Sequence, residues 1–149
     1  LNLTCDLLVG NNLPIVPALA RACPETQFIL DHLAGFPVRP NGHSIWAEAL
    51  KQLGEFTNVA VKLSGYVSYA EPKPVHVHTL QAYVETALGL FGSQRLMYGS
   101  DWPVCLLGGA YENCVFADTV NLLKEAIRSL SEDEQHAIWS GTAQRVYGL

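Results

Sequence analysis

The sequence has few charged residues and no cluster of basic ones. Lys and Arg number 9 against 14 Asp and Glu, and charged residues make up 15% of the 149 residues. The net charge of −5 argues against a surface that binds nucleic acid or an anionic membrane. No uninterrupted apolar run approaches about 18 residues, so no membrane-spanning helix is predicted.

The N-terminal segment has neither an initiator methionine nor the features of a signal peptide. The only methionine is Met97, and the first nine residues carry Asp6 but no basic residue. An apolar content of 49% over 149 residues is typical of one globular domain. We therefore expect residues 1–149 to belong to a single domain, as a piece of a longer chain.

Cysteine spacing excludes two common kinds of site. None of the four cysteines forms a C-x-x-C pair, so neither a zinc ribbon nor a thioredoxin-type site is supported. We expect reduced thiols in a cytoplasmic protein at Cys5, Cys23, Cys105 and Cys114. The motifs G-x-S-x-G, G-x-G-x-x-G and the phosphate-binding P-loop are missing as well.

Four short apolar segments predict strands, and helical patterns follow each of them. The predicted strands cover residues 4–9, 27–32, 59–64 and 95–100. They are nearly continuous in apolar character, as parallel strands buried on both faces are. Helices are predicted over residues 13–22, from an N-cap at Ser44 to residue 53, over 80–91 and 115–130, and after a capping box at Ser131 and Glu134.

This alternation predicts an α/β fold with a parallel sheet, in one of two forms. A small doubly wound sheet fits the order, and so does half of an eight-stranded (β/α) barrel, which needs about 250 residues in full. Polar residues stand at or near the end of every predicted strand: Asp6, Asp31 and His32, Lys62 and Ser64, and Ser100 and Asp101. This distribution favours the half-barrel, since a barrel site draws on all its strand ends.

Asp101 is the strongest catalytic candidate. Pro103 ends its strand, and Gly99 permits a close backbone approach. A carboxylate there is suited to bind a metal and to accept a proton from attacking water, although a turn or helix-capping aspartate gives the same pattern.

Three further polar residues have a functional and a structural interpretation each. His32 ligates a metal or donates to a substrate oxygen, or is a structural histidine, and alternation places Asp31 and His32 on opposite faces. Lys62 and Ser64 share a face. The lysine neutralises an anionic substrate or pairs with a carboxylate such as Asp101.

The pair His76 and His78 has the spacing of a metal-binding H-x-H motif. It follows a proline-containing stretch rather than a predicted strand. We therefore expect a loop or helix entry on the side of the site, within reach of substrate.

Three segments resemble the amidohydrolase-related family of metal-dependent TIM-barrel hydrolases, which includes sugar lactonases and a pyrone-dicarboxylate lactonase. They read FILDHLAGFP (28–37), NVAVKLSG (58–65) and RLMYGSDWPVC (95–105), and the ending GTAQRVYGL (141–149) is similar too. The resemblance implies that residues 1–149 are strands five to eight, the C-terminal half of a (β/α)8 TIM barrel. Asp101 then matches the strand-eight aspartate, a metal ligand or general base, and His32 matches the strand-six histidine.

The resemblance also implies cofactor, partner and substrate. The family's H-x-H lies on strand one, so a divalent metal, expected to be zinc, would be incompletely held by His32 and Asp101. The expected partner is the N-terminal half of the barrel or a second copy of the chain. The expected small-molecule substrate is a lactone or ester of a sugar acid or small carboxylate, contacted by Lys62, Ser64, Asp6 and Trp102. A decarboxylase and a non-catalytic half-barrel are the alternatives.

Overall fold

Four parallel strands form one sheet in sequential order. The computed structural model describes residues 3–70, 75–106 and 116–149. The strands are β1 (Thr4–Leu7), β2 (Gln27–Leu30), β3 (Val59–Leu63) and β4 (Leu96–Tyr98), and each pairs in parallel with the next. A sequential order is that of a barrel segment, whereas the order of a doubly wound sheet reverses at its switch point.

The strands are shorter than the sequence pattern predicted. Their polar ends, at Asp31, His32, Ser64, Ser100 and Asp101, lie in the turns that follow β2, β3 and β4. In the turns after β2 and β4, φ is +54° at His32 and +56° at Asp101. A residue with positive φ leaves the extended conformation and ends the ladder.

Helices and turns alternate with the strands. In chain order they are the 3₁₀ turn Gly10–Ile15, α1 (Val16–Ala22), the single turn α2 (His32–Gly35), α3 (His43–Lys51), the 3₁₀ turn Gln52–Glu55, α4 (Val77–Phe91), the 3₁₀ turns Ser93–Arg95 and Val104–Leu106, α5 (Phe116–Ala126), α6 (Glu132–His136), the π turn Ala137–Gly141 and α7 (Thr142–Tyr147). The capping box predicted at Ser131 is confirmed, since Ser131 Oγ accepts from the Glu134 amide at 3.3 Å.

Two predicted helix starts are wrong. The helix expected from Leu13 is α-helical only from Val16, with Pro17 in its first turn, where a missing N–H is tolerated. The cap expected at Ser44 is absent, because α3 begins at His43 after Gly42. Ile45 is 65% exposed, since adjacent helical residues lie about 100° apart and cannot share the narrow stripe of Trp46.

The two faces of the sheet are covered differently. Alternate side chains point to opposite faces. The outer face, which includes Leu30, Val61 and Leu96, is buried under α1, α3, α4 and α5 in one large apolar cluster. The inner face presents Ile29, Ala60 and Met97, and three residues of α7 pack against them: Ala143, Val146 and Tyr147.

The cysteines and the longest helices can be described for these residues. Cys5, Cys23 and Cys105 are free, and Cys114 lies outside the described residues. Within the described ranges, no helix combines the length and the apolar character that crossing a bilayer requires.

Candidate functional site

His32 and Asp101 come together although β3 separates their strands. Nε2 of His32 lies 3.5 Å from Oδ1 of Asp101, and the two side chains are 21% and 7% exposed. Each residue follows the end of its strand in a turn with positive φ. The C-terminal ends of parallel strands share one edge of the sheet, so these turns direct an imidazole and a carboxylate to one point.

Ser64 fixes the imidazole of His32 from the other side. Its Oγ lies 2.9 Å from Nδ1 of His32 and accepts from the His32 backbone N–H at 3.3 Å. The hydroxyl donates to Nδ1 or accepts from it, according to the imidazole tautomer. In either tautomer Ser64 engages Nδ1, and Nε2 is the nitrogen that faces Asp101.

Ser68 completes this group, which we call the strand-end cluster: His32, Ser64, Ser68 and Asp101. The Ser68 hydroxyl donates to Oδ2 of Asp101, which leaves Oδ1 directed to His32. The sequence interpretation missed Ser68, because it lies in the loop after β3, where no strand periodicity marks it. Its position four residues after Ser64 in a loop that follows a strand is the only signal it carries.

Two glycines make room for the cluster. A Cβ atom at Gly65, where φ is +71°, would lie 2.6 Å from Cβ of His32. A Cβ atom at Gly99 would lie 2.9 Å from Cβ of Ser64. The close backbone approach predicted at Gly99 is therefore confirmed, and the residue that approaches is Ser64.

Lys62 lies in a second polar group on the same face, the lysine cluster: Lys62, Asp6, Asp31 and Tyr147. Its Nζ is 2.7 Å from Oδ2 of Asp6 and 2.8 Å from Oδ1 of Asp31. Tyr147 donates to both carboxylate oxygens of Asp6, at 3.0 and 2.8 Å. Lys62 thus pairs with Asp6 and Asp31, and the pairing with Asp101 that the sequence left open is not formed.

The charge of Lys62 is strongly stabilised. Burial alone would lower its pKa, but hydrogen bonds with Asp31, Asp6 and Tyr147 raise the pKa of Lys62 well above the ordinary lysine value. Burial also raises the pKa of the Tyr147 phenol. The lysine is therefore an ammonium at neutral pH with its charge already compensated by two carboxylates.

Asp31 and His32 contact the same face of the sheet, which strand alternation did not predict. Asp31 contacts Lys62, and His32 contacts Ser64. Lys62 and Ser64 are two residues apart in sequence. The strand has ended at Leu30, and the positive φ of His32 returns its side chain to the inner face. The alternation argument was wrong here because it was applied beyond the strand.

Trp102 and the histidine pair lie outside both clusters. Trp102 follows Asp101 directly and is 64% exposed. His76 precedes α4 and His78 is in its first turn; both are exposed, with their rings stacked 5.5 Å apart. The predicted helix entry is confirmed, and the pair makes no contact with His32 or Asp101 among the interactions of the described residues.

The strand-end cluster fits part of a metal site. Two ligands of a tetrahedral zinc, each about 2.1 Å from the ion, are about 3.4 Å apart. Nε2 of His32 and Oδ1 of Asp101 are 3.5 Å apart. In the described parts of the chain, however, no three or more His, Cys, Asp or Glu side chains are grouped to hold a metal. His32 and Asp101 would therefore offer a zinc ion two ligands, fewer than a catalytic zinc requires.

Comparison with known proteins places the chain in a family. Residues 1–149 match the Amidohydrolase family along their whole length. The chain belongs to this family. The amidohydrolase chain is 36% identical, over 155 aligned residues, to an L-fucono-1,5-lactonase of Burkholderia multivorans, covering 97% of this chain and 51% of that protein. It is 35% identical over 105 residues to an L-fucono-1,5-lactonase of Burkholderia ambifaria, covering 70% and 36% of the two proteins.

A solved structure shares the fold of the amidohydrolase chain. It is the crystal structure of an amidohydrolase from Burkholderia multivorans with bound zinc, with a TM-score of 0.86 and 32% identity. The alignment covers 98% of this chain and 52% of that one. The α/β parallel sheet thus belongs with the TIM-barrel amidohydrolases. The chain spans about half the length of the relatives it matches.

Proposed function

We propose that residues 1–149 form strands five to eight, the C-terminal half, of one amidohydrolase TIM-barrel domain that hydrolyses a lactone or ester of a sugar acid or small carboxylate. The chain aligns with about half of its relatives at both the sequence and the structural level. Four parallel strands in sequential order match the number and order expected of half of an eight-stranded barrel. The relatives named L-fucono-1,5-lactonase support a sugar lactone as the substrate class.

The observation that carries the proposal is the hydrogen-bonded strand-end cluster. Asp101 is almost fully buried and Ser68 occupies its Oδ2, so Oδ1 is the atom available to a water molecule. In the proposed reaction, the water oxygen attacks the lactone carbonyl carbon while its proton passes to Oδ1 of Asp101. The ring C–O bond then breaks, and the proton passes from Asp101 to the departing ring oxygen.

His32 is proposed to hold the carbonyl oxygen as negative charge develops on it. Ser64 engages Nδ1, and in the tautomer in which the Ser64 hydroxyl donates to Nδ1, the N–H at Nε2 would donate to an oxyanion. The geometry favours this role because the imidazole has one hydrogen bond that fixes it and one nitrogen left for the reaction. If a divalent ion is bound, Nε2 of His32 would instead be unprotonated and would hold the ion together with Asp101 and ligands from the other half of the barrel; the ion would then polarise the carbonyl in place of the N–H.

Substrate contacts follow from what is exposed near the cluster. We propose that Trp102, which is 64% exposed and adjacent to Asp101, packs against the sugar-acid ring. Lys62 and Asp6 are proposed to contact polar groups of the substrate from the lysine cluster, since each is partly exposed. Ser64 is buried and is proposed to act through His32.

The proposed partner of this half is the rest of the barrel, supplied as the N-terminal half or by a second copy. Each outer strand, β1 and β4, pairs on one side only among the described strands. An unpaired strand edge is a template for another chain. Light scattering of the isolated chain tests the second of these: concentration-dependent dimers support pairing with a second copy, and a stable monomer at all concentrations contradicts it.

The enzymatic test uses the protein in the longest form that its gene encodes, with and without added zinc. L-fucono-1,5-lactone and a panel of sugar-acid lactones are the substrates, and released acid is followed at constant pH. Asp101→Asn should lower kcat by about 10²- to 10⁴-fold. Asp133→Asn on the exposed surface of α6 is the matched control and should retain full activity. Unchanged turnover by Asp101→Asn would remove Asp101 from the mechanism.

A further inference from the structure

The turn that carries His32 is conformationally strained. φ is +54° at His32, +51° at Leu33 and +64° at Ala34, and the turn closes on Gly35 at +75°. Glycine adopts such angles readily, but three successive residues with a Cβ do so only when the surroundings impose them. The contacts that impose this left-handed conformation therefore also determine the direction of the His32 imidazole.

Three hydrogen bonds hold this turn. The Gly35 amide donates to the Asp31 carbonyl at 3.1 Å, and the His32 amide donates to Ser64 Oγ at 3.3 Å. The third comes from outside the strand-end cluster, because Nε1 of Trp46 donates to the Leu33 carbonyl at 2.9 Å in a fully buried position. A buried carbonyl without a donor is strongly disfavoured, so this bond favours the left-handed conformation over its alternatives.

Trp46 is itself packed tightly, so its indole N–H has a fixed position relative to the turn. It lies on α3 with 0% exposure. Its ring packs on Tyr83 with 4.8 Å between the ring centroids. The Tyr83 hydroxyl donates to the Arg39 carbonyl at 3.0 Å, so α3, α4 and the loop after α2 are joined around the indole. The indole N–H reaches the turn from this packed cluster.

We propose that Trp46 is a positioning residue for His32, acting through the Leu33 carbonyl. It touches neither the imidazole nor Asp101 in the structure, and it holds the turn that directs His32 toward them. The catalytic consequence rests on the function proposed for His32, but the positioning itself is a property of the chain alone. It therefore has a readout that needs no activity.

The test is Trp46→Phe, which removes the N–H and keeps an aromatic ring in the core. Two signals are measured by NMR on the chain: the tautomer of His32 from its imidazole nitrogens, and hydrogen exchange of the Gly35 amide. Loss of this bond should change the ratio of the two His32 tautomers from its wild-type value and accelerate Gly35 exchange by about tenfold. Tyr83→Phe is the matched control, since it loses a bond to the Arg39 carbonyl and should leave the His32 tautomer unchanged.

Two results would overturn the proposal. One is a His32 spectrum in Trp46→Phe that matches wild type, and the other is an equal disturbance by Tyr83→Phe, which would indicate general loosening. Should Trp46→Phe not fold, the wild-type chain provides the measurement. The indole N–H of Trp46 and the Gly35 amide should have the same protection factor, each rate being divided by the intrinsic exchange rate of its own group, because one opening of the turn exposes both. Clearly different protection factors contradict the link. An inactive enzyme would refute the proposed hydrolase while leaving these outcomes unaffected.

Discussion

Gly65 lies so close to His32 that a Cβ atom on the glycine would be 2.6 Å from Cβ of the histidine. The backbone there has a φ of +71°, which an L side chain rarely adopts. Gly65→Ala should therefore lower the free energy of unfolding by about 3 kcal/mol, from backbone strain together with overpacking. It should also displace His32 from Asp101. Urea denaturation measures the first effect and the His32 imidazole resonances report the second.

Gly89→Ala is the matched control for that substitution. Gly89 lies in α4, and a Cβ atom there would meet nothing within 4 Å. Alanine in a helix interior should raise the free energy of unfolding by about 0.5 to 1 kcal/mol. Equal destabilisation by both substitutions would contradict the interpretation that Gly65 is required by contact with His32.

Lys62→Met should destabilise the chain, because it leaves the carboxylates of Asp6 and Asp31 facing one site without a cation. Loss of one partner from a buried ion pair costs several kcal/mol, and partial exposure of this cluster reduces the expected loss to about 2 kcal/mol. Urea denaturation at neutral pH measures it. A variant as stable as wild type would show that the lysine cluster contributes no net stability.

The contribution of Lys62 should also depend on pH. Folding raises the pKa of this lysine, so between the unfolded and folded values the folded chain binds the extra proton and stability falls with rising pH. The stabilisation is complete below the ordinary lysine pKa of 10.5 and is lost as pH rises through the folded value. The difference in unfolding free energy between wild type and Lys62→Met should stay constant from neutral pH to about pH 10 and shrink above it. A difference that grows in alkali would contradict the assignment.

Arg95→Lys should lower the free energy of unfolding by about 2 kcal/mol. The guanidinium donates to four backbone carbonyls, those of Gly54, Phe56, Leu90 and Phe91. It thereby joins the end of α4 to the turn before β3, and a single ammonium group cannot span that set of acceptors. Arg128→Lys, on an exposed pair with Glu125, is the control and should change stability by less than about 0.5 kcal/mol. Thermal or urea denaturation of both variants measures the two losses, and equal losses would contradict the prediction.

The sequence predicted helices and strands well where the apolar residues followed a single helical or strand repeat. The helix over residues 80–91 is confirmed as part of α4, with Leu80, Tyr83 and Val84 buried, because its apolar spacing follows the helical repeat. The four strands are confirmed in place but not in length. The turns after β2 and β4 contain positive φ at His32 and Asp101, a backbone state that residue type alone does not indicate.

The sequence identified most residues of the candidate site but few of the contacts between them. His32, Ser64 and Asp101 were all selected from strand ends, and the structure brings them together. Ser68 and Tyr147 were missed, because one lies in an irregular loop and the other reaches the sheet from the far end of the chain. Contacts over such sequence separations depend on tertiary packing, which local patterns do not encode.

The last prediction concerns zinc. We expect the chain by itself to bind zinc weakly, because a catalytic zinc takes three protein ligands and a water, and the strand-end cluster presents only His32 and Asp101. Calorimetric titration at neutral pH of the chain and of the longest encoded form measures the difference, and the longer form should bind more tightly if the rest of the barrel supplies further histidines. The exposed pair His76 and His78 is the competing site, so His78→Ala is the control that removes weak binding at α4 without touching the cluster. Tight stoichiometric binding by residues 1–149, abolished by His32→Ala or Asp101→Ala and kept in His78→Ala, would show that two ligands from this half suffice.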